Sequence, residues 1–220
     1  MSGTDHIIFD CDGVLIDSEV LSLQVWQELL ARHAITLDAD YFSQHFLGRS
    51  FEYVKHRVKQ DFALDVSPEL AAAFAERLKE VFTSELTVTP FLLDVLPNLA
   101  VPYSLATSSS PERTRNALAV TGLDAFFGDD QVFTSSLVKH GKPAPDLFLY
   151  VAATRDLAPE NCLVIEDSKP GLQAAQRANM QWLHYTGGSH LHGIKSDDSQ
   201  SLSDWREFAR AFPHLLNSTD

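Results

Sequence analysis

Cysteine is scarce in this chain of 220 residues, which contains only Cys11 and Cys162. Both lie in apolar, strand-like runs, where a free cysteine is commonly buried. Two reduced core thiols are therefore expected, rather than a disulfide or a metal-binding pair. The nine histidines are scattered along the chain and do not pair at metal-ligand spacing. His190 and His192 lie close together in sequence, but we expect them in a solvated loop.

Basic residues are outnumbered, because 17 lysines and arginines face 30 aspartates and glutamates, which gives a formal net charge of -13. This excess of negative charge disfavours sequence-independent binding to nucleic acid or to an anionic membrane surface. We therefore expect no nucleic-acid partner and no membrane partner. An anionic small ligand stays compatible with this charge if a local cluster of cations, or a metal ion, reverses the field at its site.

Long hydrophobic runs are also missing. The start, MSGTDH, has neither the basic nor the apolar region of a signal peptide. No window approaches the roughly 18 consecutive apolar residues of a membrane-spanning helix. We therefore expect a cytoplasmic protein. The length and an apolar fraction of 45% suffice for one large domain, or for a domain with a modest insertion, that folds alone as a monomer.

Five short apolar runs have the character of strands: HIIFDC, YSLATS, DQVFTSS, NCLVIEDS and QWLHYT. Runs that are apolar on both faces predict strands buried in a parallel sheet. Helical patterns separate the runs and begin near Pro111, Asp146 and Gly171. The first of them follows Ser110, a good helix cap directly before a proline. This alternation predicts an α/β fold with a doubly wound, Rossmann-like parallel sheet.

One long segment interrupts the alternation. Between residue 18 and about residue 86 the sequence shows amphipathic helical patterns and no convincing strand. Because this segment directly follows the first strand, it predicts an α-helical cap inserted over the carboxyl edge of the sheet. The predicted α/β core comprises residues 1–16 and 88–220, and the predicted cap comprises residues 17–87. The polar stretch HGIKSDDSQSLSD is expected to be a loop before a last helix, DWREFARAF.

Two carboxylates, Asp10 and Asp12, end the first predicted strand in the stretch IIFDCDGVL. Carboxylates at the end of a buried strand are costly unless a cation or hydrogen bonds compensate them. Glu166 and Asp167 end the fourth strand, and the ligand crevice of a doubly wound sheet lies at this same edge. Carboxylates from two strands form a hard oxygen cage that suits magnesium better than zinc or copper. The sequence therefore predicts a Mg²⁺ cofactor at this edge.

The same edge carries groups that suit phosphoryl transfer. An ionised Asp10 beside the metal can act as a nucleophile, and Asp12 can act as general acid and base. Thr107 ends the second strand and Lys142 follows the third, and both can bind the charge on a transferring phosphoryl group. Plainer interpretations stay open at this point: Asp12 as a turn residue, Thr107 as a helix cap and Lys142 as a solvated loop lysine.

Four motifs, DCDGVLIDSE, LATSSS, GKPAPDLF and VIEDSKPGLQAA, occur in the order and spacing of the haloacid dehalogenase superfamily. Over nearly its whole length the chain resembles the β-phosphoglucomutase-like phosphatase branch, which has a helical cap. This resemblance implies an aspartyl-phosphate mechanism in which Asp10 attacks phosphorus and Asp12 is the acid and base. In the same mechanism Thr107 and Lys142 hold the phosphoryl oxygens.

The resemblance also implies a set of metal ligands. It assigns Mg²⁺ to the Asp10 carboxylate, the Asp12 backbone carbonyl and the Asp167 carboxylate. Glu166 is expected close to the ion. An aspartate at position 12 favours phosphate chemistry over dehalogenation, since a leaving alkoxide needs a proton.

Substrate recognition is expected from the cap and from the second strand end. Glu19 resembles the glutamate of the family's DSE signature, where it orders the loop or touches the substrate. Arg49, in LGRS, lies at a helix-helix turn and is a candidate for binding a second anionic or hydroxylated part of the substrate. An ordinary surface arginine is the competing interpretation. Ser108 and Lys142 complete the predicted substrate-binding residues.

The expected activity is that of a phosphatase, a phosphoric monoester hydrolase acting on small phosphorylated metabolites, with sugar phosphates or phosphorylated sugar acids first. Mutases of the resembled branch carry a cap histidine where this chain has Ser22. The absence of this histidine favours hydrolysis, and phosphoglucomutase-type transfer of the phosphoryl group between sugar positions is kept as the alternative. Two remoter alternatives are a phospho-accepting receiver domain, although DQVFTSS does not end in aspartate, and a non-catalytic binding module.

Overall fold

The computed structural model describes residues 3–191 and 200–217 of the chain. Within these ranges strands and helices alternate as predicted. The strands are β1 (His6–Phe9), β2 (Tyr103–Thr107), β3 (Val132–Thr134), β4 (Cys162–Glu166), β5 (Gln181–Tyr185) and β6 (Ser201–Leu202). The helices are α1 (Glu19–Ala31), α2 (Ala39–His45), α3 (Phe51–Phe62), α4 (Pro68–Glu85), α5 (Leu92–Val95), α6 (Pro111–Thr121), α7 (Asp146–Thr154), α8 (Lys169–Arg177) and α9 (Trp205–Ala211).

The strands form one parallel sheet in the order β3-β2-β1-β4-β5-β6. This order confirms the predicted doubly wound α/β fold. The chain leaves β1 for β2 on one side and later returns to β4 on the other side. The crevice of such a sheet therefore opens at the carboxyl ends of β1, β2 and β4.

Both faces of the sheet are covered, as the strand sequences predict. In β1, Ile7 and Phe9 pack into one hydrophobic cluster, while Ile8 between them packs into a second cluster on the opposite face. Successive side chains of a strand point to opposite faces, so a strand buried on both sides has to be apolar throughout. Cys11 and Cys162 are buried free thiols, which confirms the prediction for both.

One element was mispredicted in the polar stretch 192–204. Ser201 and Leu202 form β6, which adds to β5 in parallel with Ser201 opposite His184 and Leu202 opposite Tyr185. Leu202 is buried and Ser201 is exposed. A strand of two residues is too short to show an alternating pattern in the sequence. Residues 192–199 of the predicted loop, which include His192, lie outside the described residues.

Five helices lie between β1 and β2, and the first four, α1 to α4, make up a helical segment of which the structure describes every residue. It contains no strand from residue 18 to residue 86, as predicted. Three of the helices start after a residue whose side chain accepts a hydrogen bond from a first-turn backbone N–H, which stabilises the helix end. These cap residues are Asp38, Ser50 and Ser67.

The helical segment is joined to the sheet by two adjacent stretches of chain. Ile16 forms an antiparallel bridge with Val88, and the Asp17 backbone N–H donates to the Thr87 carbonyl at 3.0 Å. The chain thus enters and leaves the segment at one place beside the end of β1. The division into a core of residues 1–16 and 88–220 and a cap of residues 17–87 stays a prediction. Among the described residues no helix is long and apolar enough to span a membrane.

Candidate active site

Asp10 follows the last residue of β1, and its backbone N–H donates to the Ile165 carbonyl of β4 at 2.9 Å. The side chain is buried, and its Oδ1 accepts a hydrogen bond from Lys142 Nζ at 2.5 Å. Burial raises the pKa of Asp10 well above its ordinary value, and the Lys142 cation opposes this shift. The Asp10 side chain therefore lies at the edge of the sheet where the strands end, and its protonation state depends on nearby cations.

Lys142 is not a solvated loop lysine. Its side chain is 1% exposed, and Nζ donates to Asp10 Oδ1, to Glu166 Oε1 at 2.8 Å and to the Ala106 carbonyl at 3.1 Å. Burial alone would lower the pKa of Lys142, but the charges of Asp10 and Glu166 outweigh burial and raise it. Lys142 is therefore a buried cation that joins the ends of β1, β2 and β4.

Asp10, Glu166 and Asp167 form an acidic cluster in which one carboxylate oxygen from each residue lies within 4.8 Å of the others. Asp167 Oδ2 is buried and has no hydrogen bond from a described residue. A side chain at Gly13, where φ is +80°, would place its Cβ 2.1 Å from this oxygen. Three carboxylates, one with a buried oxygen that accepts no hydrogen bond, are oxygen donors of the kind that a hard divalent cation prefers. The cluster therefore fits the predicted metal site.

Asp12 makes several hydrogen bonds and does not serve as a helix cap. Its Oδ1 accepts from Ser18 Oγ at 2.6 Å and from Arg113 NH2 at 2.7 Å, and its Oδ2 accepts from Ser109 Oγ at 2.6 Å. Burial would raise the pKa of Asp12, but Arg113 and the hydroxyl donors outweigh it and lower the pKa. Asp12 is thus held as a carboxylate, the form that acts as a base.

The residues at the end of β2 have partners of their own. Thr107 Oγ1 lies 3.5 Å from Asp12 Oδ2 and accepts a hydrogen bond from the Ser109 backbone N–H at 3.0 Å. Ser110 caps α6, as the sequence predicts. The Ser108 hydroxyl donates to the Gly48 carbonyl at 3.0 Å and so joins the sheet edge to the helical segment.

The two predicted cap residues lie beside this edge. Glu19 is buried, and burial raises its pKa to about 8, with the charges of Asp12 and Asp167 adding to the shift. Arg49 NH1 donates to the Lys142 carbonyl at 3.1 Å, and its guanidinium lies over the Tyr53 ring at 4.5 Å. Arg49 is therefore not an ordinary surface arginine, because it contacts the loop that carries Lys142.

A cavity of about 400 Å³ lies between the sheet edge and the helical segment. Asp10, Asp12 and Thr107 line it from the sheet, together with Ser108. Glu19 and Arg49 line it from the helical segment. The remaining predicted residues, Lys142, Glu166 and Asp167, are buried behind this lining. The structure thus brings all the predicted site residues to one place, six of them on the cavity surface.

Two residues beside the site were not predicted from the sequence. Arg113 lies in the first turn of α6 and reaches back to Asp12, and a basic residue so close to the LATSSS motif was an available signal. His190 was expected in a solvated loop, and that expectation was wrong. Its side chain is only 9% exposed, and Nε2 lies 2.8 Å from Asp167 Oδ2 without forming a directed hydrogen bond. A contact between residues 23 positions apart leaves no local pattern in the sequence.

Comparison with known proteins gives concordant matches. A family model described as haloacid dehalogenase-like hydrolase matches residues 7–184. The fructose-1-phosphate phosphatase of Escherichia coli is 30% identical to this chain over 79% of this chain and 92% of its own length. The 6-phosphogluconate phosphatase of the same organism is 23% identical, with 86% of each chain covered. A solved hydrolase of Deinococcus radiodurans with bound phosphate and sodium is 28% identical, with a TM-score of 0.75 and 100% coverage of both chains.

Proposed function

The chain belongs to the haloacid dehalogenase-like hydrolases and is a phosphoric monoester hydrolase, and we propose that it is a magnesium-dependent phosphatase that works through an aspartyl-phosphate intermediate. The observation that carries the proposal is the position of Lys142. This buried cation contacts Asp10 and Glu166 beside Asp167, at the end of a cavity that Asp12 also lines. A nucleophile, an acid-base group and cations for phosphoryl oxygens thus share one small site.

Magnesium would be held by the carboxylates of Asp10 and Asp167 and by the Asp12 backbone carbonyl, with Glu166 nearby. The acidic cluster and the buried Asp167 oxygen, which accepts no hydrogen bond, support this assignment. When bound, the ion neutralises charge on a phosphoryl oxygen and favours the ionised form of Asp10.

In the first half-reaction, an Asp10 carboxylate oxygen attacks the phosphorus of the substrate. The bond from phosphorus to the ester oxygen breaks, and the leaving oxygen takes a proton from Asp12. Lys142 and Thr107 stabilise the charge that develops on the phosphoryl oxygens. Asp12 has to carry a proton at this stage. The Arg113 contact in the structure favours the ionised form of Asp12, so we assign this contact to the second half-reaction, in which Asp12 is a base.

In the second half-reaction, Asp12 acts as a base and removes a proton from water, which attacks the phosphorus of the aspartyl-phosphate. The bond from phosphorus to Asp10 breaks, inorganic phosphate leaves and Asp10 is restored. The hydrogen bonds from Arg113, Ser18 and Ser109 hold Asp12 ionised and so support this base role.

The helical segment, residues 17–87, acts as a cap that forms the second wall of the cavity. We assign hydrolysis rather than transfer between sugar positions, because Ser22 stands where mutases of this branch have a histidine. Ser22 Oγ accepts a hydrogen bond from Arg113 at 3.1 Å, so this position is part of the Asp12 network. The names of the curated relatives make phosphorylated carbohydrates the first class of substrate to test.

The test is phosphate release from a panel of phosphomonoesters with Mg²⁺ present, in wild type, Asp10→Asn and Asp124→Asn. Asp124 is an exposed aspartate on the surface, so its variant is the matched control. We expect turnover by wild type and by the control, silence in EDTA with recovery on adding Mg²⁺, and loss of at least about 1000-fold in Asp10→Asn. An Asp10→Asn variant that keeps a tenth of the wild-type rate would refute the nucleophile role.

A further inference from the structure

The cavity between the sheet edge and the helical segment has two chemically different walls. The sheet side offers carboxylates and hydroxyl groups, among them Asp10, Asp12 and Thr107, and the start of α6 adds the polar side chains of Glu112, Arg113 and Asn116. The cap wall, by which we mean the lining contributed by α1 to α4 and their connections, is dominated by aromatic and aliphatic side chains. Its buried apolar members include Trp26, Phe42, Phe46, Phe74, Leu78 and Phe82.

The polar groups of the cap wall lie at its edges or are already engaged. Ser22 Oγ accepts from Arg113, and Arg49 donates to the Lys142 carbonyl, so both belong to the phosphate end of the cavity. Glu19 lies at the same end, where the Asp12 and Asp167 charges act on it. Lys79 is exposed at the rim. Arg49 Nε has no hydrogen-bond partner, but Arg49 belongs to this same end, so the interior of the cap wall presents only apolar side chains among the described residues.

The aromatic side chains of the apolar wall pack against one another. The Trp26 ring stacks on Phe74 with centroids 4.4 Å apart and on Phe51 at 5.9 Å, and Phe46 meets Trp26 edge-on at 5.8 Å. Stacked aromatic rings hold one another in place and present a preformed surface. A preformed apolar cavity of this size binds an apolar group with little loss of conformational freedom.

A polyol in this space would leave the hydroxyl groups that face the cap wall buried against carbon, whereas an apolar group matches that wall. Each hydroxyl that loses its water partners without gaining a new one weakens binding by about tenfold or more. Resting on the proposed phosphatase function, we infer that the enzyme prefers phosphomonoesters whose alcohol part is aromatic or alicyclic over sugar phosphates of similar size. The phosphate is held at the sheet edge, and the apolar group lies against the cap wall.

The test compares kcat/KM for benzyl phosphate and cyclohexylmethyl phosphate with that for glucose 6-phosphate, using methyl phosphate as a substrate without a large group. In all four the ester oxygen is bonded to a saturated carbon, which avoids the intrinsically better leaving group of a phenyl ester. We expect the two apolar esters to exceed glucose 6-phosphate by about 10-fold or more. Calorimetry with benzylphosphonate gives a second measurement that needs no turnover, and we expect it to bind more tightly than methylphosphonate.

A pair of neighbouring alanines on α4 provides matched variants. Ala71 lines the cavity, whereas Ala72 is exposed and does not. Ala71→Phe should fill the space and lower kcat/KM for benzyl phosphate, relative to methyl phosphate, by about 10-fold. Ala72→Phe should leave both values unchanged. If Ala71→Phe does not fold, Val54→Thr places a hydroxyl group in the wall at nearly constant volume and should lower the same ratio.

The outcomes separate this inference from the proposed function. A wild-type preference for glucose 6-phosphate over both apolar esters, with methyl phosphate hydrolysed, overturns the inference and leaves the phosphatase in place. An unchanged ratio in Ala71→Phe also overturns it. Failure to hydrolyse any of the four esters in the presence of Mg²⁺ removes the proposed function, and the inference with it.

Discussion

Lys142→Met tests the electrostatic arrangement at the centre of the site. Lys142 makes two buried ion pairs, at 2.5 Å to Asp10 and 2.8 Å to Glu166, and all three side chains are at most 6% exposed. Methionine keeps most of the length of the side chain but removes the charge. Without a metal ion, the variant leaves the three carboxylates of the acidic cluster with no cation between them.

The expected loss in the free energy of unfolding is large, because removing one partner of a buried ion pair costs about 3–5 kcal/mol. The whole free energy of unfolding of a typical domain is only about 5–15 kcal/mol. It should depend on pH. Burial and the neighbouring carboxylates raise the pKa values of Asp10 and Asp167 above their ordinary values, and the Lys142 charge, which opposes both shifts, is lost in the variant. The lost stability should therefore be greatest near pH 8 and should shrink as the pH falls and the carboxyl groups take up protons.

The assay is urea unfolding of wild type and Lys142→Met in EDTA at pH 5.5 and pH 8, repeated with Mg²⁺. Added Mg²⁺ should stabilise the variant more than the wild type, because the ion replaces part of the missing positive charge. Lys142→Met/Glu166→Gln removes one cation and one anion and should recover part of the loss. If the free energy of unfolding of Lys142→Met at pH 8 in EDTA lies within about 1 kcal/mol of the wild-type value, the reasoning is refuted, since an uncompensated buried charge costs more than that.

Three further predictions concern residues around the site and in the core. His190→Leu should weaken Mg²⁺ binding by about 10-fold in calorimetry, because groups that orient a metal ligand have effects of this size; affinity equal to that of the exposed-site control His140→Leu would contradict this. Arg49→Ala should raise KM more than it lowers kcat, since it removes binding next to the Lys142 loop; an unchanged KM on all substrates would exclude Arg49 from the site. Burial, with Arg155 adding to it, lowers the pKa of His6 to about 4, so the unfolded chain binds the proton first as pH falls below about 6.5. Between pH 7.5 and pH 5 the free energy of unfolding of wild type, measured in urea, should then fall by about 2 kcal/mol more than that of His6→Gln. Equal decreases would contradict the lowered pKa of His6.

The sequence predicted the elements whose signals are local. Strands apolar on both faces, such as β1 and β4, leave continuous runs, and a serine before a proline marks the start of α6. The position of Asp10 near Asp167 followed from sheet geometry, because carboxyl ends of neighbouring parallel strands share one edge. For the same reason Lys142 was placed near the site from its position after β3.

Other features depend on contacts that leave no local trace. β6 has two residues and depends on pairing with β5, so its sequence is that of a polar loop. His190 is largely shielded from solvent because the turn after β5 folds back onto Asp167. Arg113 was missed because the direction of its side chain, toward Asp12, depends on how α6 leaves β2. The apolar cap wall could not be predicted either, since an amphipathic helix has the same pattern whether its apolar face fills a core or lines a cavity.

The most direct test of the central claim is chemical trapping of the phosphorylated enzyme. Wild type is mixed with a substrate and Mg²⁺, quenched in acid, and reduced with borohydride, which converts an aspartyl-phosphate to homoserine. Peptide mass spectrometry then locates the modified residue. We predict homoserine at position 10, and none in Asp10→Asn or when substrate is omitted. Steady release of phosphate with homoserine at position 12, or with no homoserine at any position, would contradict the account.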